Sequence, residues 1–80
     1  MNEWLEQARD RLAAATGEDP AALDLDQQTV DDLLDLARLA ARDSGERTSA
    51  PLLCYLVGLA QGRRGGDLSD IVDAVVGKAV

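Results

Sequence analysis

The chain has 80 residues, 46% of them hydrophobic and 29% charged, with a formal net charge of −7. That length suits one domain near the lower limit for a single core, and the apolar content excludes a disordered tail. The negative charge argues against nucleic-acid backbones and anionic lipid as partners, both of which repel an acidic protein.

Trp4 and Tyr55 are the only aromatic residues and there is no Phe, so the core has to be aliphatic. Leu- and Ala-rich helices fit that composition better than sheets do. One cysteine and no histidine exclude an internal disulfide and leave the usual zinc ligands nearly absent. A reducing cytoplasm is the expected location. The amino terminus, Met1-Asn2-Glu3-Trp4, lacks the basic-then-apolar pattern of a signal peptide. No apolar run approaches the roughly twenty residues that cross a bilayer.

In chain order, Asn2 is placed to cap a first helix, with Glu3 and Glu6 at the positive end of its dipole. Trp4, Leu5, Ala8, Leu12 and Ala15 recur at helical spacing, and Thr16-Gly17 ends the helix. The acidic connection that follows contains Pro20-Ala21-Ala22, which suits a single turn, and Leu23 and Leu25 as inward anchors. Thr29, with Asp32 three residues on, reads as the cap of a second helix ending near Asp43-Ser44-Gly45. Its apolar face is Val30, Leu33, Leu34, Leu36, Ala37, Ala40 and Ala41.

Ser49 is the expected cap of a third helix, with Pro51 in the first turn, where its missing N–H costs nothing. Leu52 to Ala60 carry no charge at all, so this helix has no obvious face for water and is expected to be covered on several sides. Gly58 at its middle suggests a close crossing against the Ala-rich second helix, since a mid-helix glycine costs about 1 kcal/mol in isolation. Gly62 to Gly66 is a break. Asp67 then starts a fourth helix in which Leu68, Ile71, Val72, Val75, Val76 and Ala79 follow the helical template, with Lys78 among its charged positions. The expected fold is all-α: one domain, residues 1–80, forming a small four-helix bundle with a central apolar third helix.

Chemistry is sparse. Asp24-x-Asp26 with Thr29, Asp31 and Asp32 departs from a calcium loop, because Thr29 stands where glycine is needed and Asp35 where a glutamate is needed. The same acids lack the βα scaffold that an Asp-x-Asp phosphotransfer site requires. Cys54 has no histidine or cation among its neighbours in the chain to stabilise a thiolate, and reads as a packing residue. Ser44, Ser49 and Ser69 have no histidine to act as base. No catalytic, metal or cofactor residue is therefore expected. Arg63 and Arg64 between glycines have the chemistry of an anion site but not the Gly-Lys-Ser/Thr ending of a P-loop. Trp4 suits either a binding hot spot or a lid on the core.

Asn2-Glu3-Trp4-Leu5, Asp35-Leu36-Ala37-Arg38, Glu46-Arg47, Ala50-Pro51-Leu52 and Leu56-Val57-Gly58-Leu59-Ala60-Gln61-Gly62 together carry a family likeness. The chain resembles a small actinobacterial domain of unknown function that occurs alone or at the carboxyl end of molybdenum cofactor guanylyltransferases, near genes for molybdenum-dependent formate dehydrogenases. It departs from that pattern in two ways: it has no histidine near the end of the second helix, and it has Thr48 where the family often has proline. The resemblance implies a non-catalytic accessory module of molybdenum cofactor biosynthesis or molybdoenzyme assembly. The surface expected to meet a protein partner is Trp4, Arg47, Pro51, Arg63 and Arg64. Two alternatives stand beside it, a small carrier in which the arginine pair meets a pterin or nucleotide phosphate, and a symmetric homodimer with only a structural role.

Overall fold

The structure, a computed structural model, describes residues 1–77. Among these residues there are four α-helices, one 3₁₀ turn and no strand. The chain divides into two compact units, Met1–Val30 and a second from Asp31 onward.

The first unit holds α1 (Glu3–Thr16) and the 3₁₀ turn (Pro20–Leu23). Asn2 caps α1 as expected, its Oδ1 accepting the Leu5 N–H at 2.8 Å, and Gly17 closes it in the left-handed region at φ 74°. Asp19 caps the turn by accepting the Ala21 N–H at 3.0 Å. The turn packs against α1, and Arg9 spans the two by donating from Nη1 to Asp24 at 2.5 Å and from Nη2 to Asp10 at 3.1 Å. These carboxylates raise the Arg9 pKa above its ordinary value, the Asp10 hydrogen bond contributing most. Ala13, one turn along from Arg9 on the same side of the helix, is buried. The expected apolar stripe of α1 points elsewhere: Trp4, Leu5 and Leu12 are exposed. The buried residue of α1, Ala13, lies outside the stripe that the periodicity named. Leu23 is half-buried but Leu25 is exposed, so only one of the two anchors points inward.

α2 runs from Gln27 to Ser44 and begins earlier than the sequence suggested. Asp26, not Thr29, is its capping side chain: Oδ1 accepts the Thr29 N–H at 2.8 Å. That bond from the backbone, followed by one from the Thr29 side chain, lowers the Asp26 pKa below the ordinary carboxylate value. An Asp three residues before a Thr makes the same hydrogen bond the Thr was expected to make, with a carboxylate acceptor in place of a hydroxyl.

The second unit packs α2, α3 (Ser49–Arg64) and α4 (Leu68–Val76) around Leu36, Val57, Leu68 and Val72, with Leu33, Leu53, Cys54, Ile71 and Val76 against them. Leu36 has no exposed surface and is the largest fully buried side chain among the described residues. Ser69 on α4 donates to Asp32 Oδ2 on α2 at 2.6 Å, a polar tie beside the apolar seam. α4 is capped as expected by Asp67, which accepts the Ser69 N–H at 3.0 Å, and Gly77 ends it at φ 79°. The expected continuation through Lys78 and Ala79 lies outside the described residues.

α3 differs from expectation in three ways. Its cap position is Thr48, not Ser49, and Thr48 makes no side-chain capping bond among the described residues. The helix continues through Gly62 to Arg64 before Gly65 turns the chain. Most consequential, it is not enclosed. Val57 is buried, but Leu52 is 65% exposed, Tyr55 69%, Leu56 58% and Leu59 45%. Three helices around one seam give each helix one inward side, and a helix without charges carries no mark of which side that is. Gly58 is exposed too, and a Cβ built there meets no described atom within 4 Å. The expected close crossing against Ala37, Ala40 and Ala41 does not occur.

Candidate functional site

Of the residues expected to form a partner surface, those of the second unit are not gathered at one place. Trp4 belongs to the first unit and is 71% exposed on the first turn of α1. Arg47 and Pro51 flank the start of α3, while Arg63 and Arg64 lie in its last turn. The helix has 16 residues, so its ends are about 24 Å apart at 1.5 Å per residue. Arg63 and Arg64 also diverge, since adjacent helical positions turn by about 100°. Arg63 continues the exposed line of Leu52, Leu56 and Leu59. Arg64 lines a small groove with Ala60, Gly65, Asp70, Ile71 and Ala74. The Asp70 carboxylate in that groove opposes an anion, so the geometry around Arg64 is a poor phosphate cradle.

Two apolar features are open at α3. One is the exposed stripe already described. The other is an open groove of about 420 Å³ between α2, α3 and α4. Leu39, Ala40, Leu52, Leu53, Leu56 and Val75 make its apolar wall, and Asp43, Ser44 and Ser49 its polar mouth. Val75, in the last turn of α4 (Leu68–Val76), lines the groove beside residues near the carboxyl end of α2 and the amino end of α3. Sequence reasoning missed both, because it assigned Leu52 and Leu56 to the interior.

Cys54 sits between Leu53 and Tyr55 on the half-buried side, with its thiol 4.0 Å from the Leu33 carbonyl oxygen. Burial raises its pKa, which disfavours the nucleophilic thiolate and fits a packing role. Among the described residues no group of three or more His, Cys, Asp and Glu side chains is placed to hold a metal ion. No buried side-chain nitrogen or oxygen among them lacks a hydrogen-bond partner. No helix among them is long and apolar enough to cross a membrane.

The described residues form an all-α fold with an open apolar groove and an uncharged exposed helix side. The sequence model of a family described as a domain of unknown function, DUF6457, matches residues 1–80, and the chain belongs to that family. No curated protein and no solved structure matches it.

Proposed function

We propose that this protein is a non-catalytic interaction module of molybdenum cofactor biosynthesis or molybdoenzyme assembly. It receives an apolar segment of a partner protein in the groove between α2, α3 and α4. The observation that carries the interaction reading is that groove, whose Leu39, Leu52, Leu53, Leu56 and Val75 lie open beside a single carboxylate, Asp43. An exposed Leu or Val gains roughly 1.5–3 kcal/mol when fully buried, so a partner helix inserting two or three side chains has a substantial driving force. The link to molybdenum rests on the sequence resemblance at Asn2 to Leu5, Asp35 to Arg38, Glu46-Arg47, Ala50-Pro51-Leu52 and Leu56 to Gly62. The lone Cys54 suits a reducing cytoplasm, where such maturation proteins would work.

The test is affinity capture of the tagged chain and of its Val75→Arg variant from an actinobacterial host, followed by mass spectrometry. Val75 is exposed, so the variant should fold while closing the groove with a charge. Recovery of a cofactor guanylyltransferase or a formate dehydrogenase by the wild type, and its loss with Val75→Arg, is the expected result. Equal recovery of every protein by both would refute the groove as the site.

A further inference from the structure

We draw no further inference here: the strongest candidate, the exposed apolar side of α3 formed by Leu52, Tyr55, Leu56 and Leu59, is an unpartnered helix face, and nothing in the structure shows what covers it.

Discussion

Gly58→Ala is the substitution that most sharply separates an enclosed α3 from an exposed one. Gly58 lies inside a regular 16-residue helix, and an added methyl group meets no described atom within 4 Å. Glycine in a helix interior is about 0.8–1.0 kcal/mol worse than alanine, mainly because the unfolded glycine has more freedom to lose. With no clash to offset it, Gly58→Ala should gain nearly that amount. For a chain of this size, whose stability is on the order of 4–12 kcal/mol, the melting temperature should rise by roughly 4–8 °C. Thermal and urea unfolding followed by far-UV circular dichroism would measure it, at submicromolar concentration so that association does not contribute. Gly58→Leu should also stay within about 1 kcal/mol of wild type, whereas overpacking a tight crossing typically loses 1–3 kcal/mol. A loss of stability in both variants would show that a helix does pack on Gly58 and would refute the exposed reading of α3.

Leu36→Ala removes the fully buried side chain at the centre of the second unit and should cost about 2–5 kcal/mol, enough to leave the variant partly unfolded at 37 °C by circular dichroism. A cost below 1 kcal/mol would mean the Leu36 cluster is not the core. Asp26 titrates below its unfolded value because it caps α2 through Thr29. Its contribution is therefore present above the unfolded carboxylate pKa, near 4, and is lost as pH falls through the folded value. Asp26→Asn keeps a capping oxygen without the charge and should flatten that acid limb in a pH series of urea midpoints. The Cys54 thiol, raised by burial, should react with a disulfide reagent more slowly than free cysteine between pH 7 and 9. Its linkage has the opposite sense: stability is full below the unfolded thiol pKa and declines as pH rises toward the folded one. Faster reaction than the free thiol would contradict the packing role.

The fold was legible wherever a backbone requirement has a short list of residues that meet it. Asn2, Asp67, Gly17 and Pro51 occupy the cap, turn and first-turn positions that their chemistry predicts. The misreadings arise where two residues compete for one role. Asp26 and Thr29 are both capping residues three positions apart, and the sequence does not rank them. The structure resolves the choice by letting one accept from the other, which starts α2 two residues before Thr29. Arg9 and Asp24, fifteen positions apart, tie α1 to the 3₁₀ turn, and no periodicity reports a pair of that separation. Ser69 and Asp32 are further apart still.

The exposed apolar side of α3 was illegible for a different physical reason. An apolar run without charges is compatible with burial within its own chain and with burial against another protein, because both remove the same surface from water. What separates them is how much covering surface the rest of the chain supplies. Here the covering helix α4 ends at Val76, and α3 directs Val57 inward while Leu52, Tyr55, Leu56 and Leu59 remain outside. The part of the resemblance that runs from Ala50 to Gly62 falls on this partly exposed helix. A solvent-facing helix side tolerates Lys, Glu and Gln freely, and this one carries three leucines and a tyrosine. A contiguous exposed apolar side of this kind marks either a site of interaction or a liability for non-specific association.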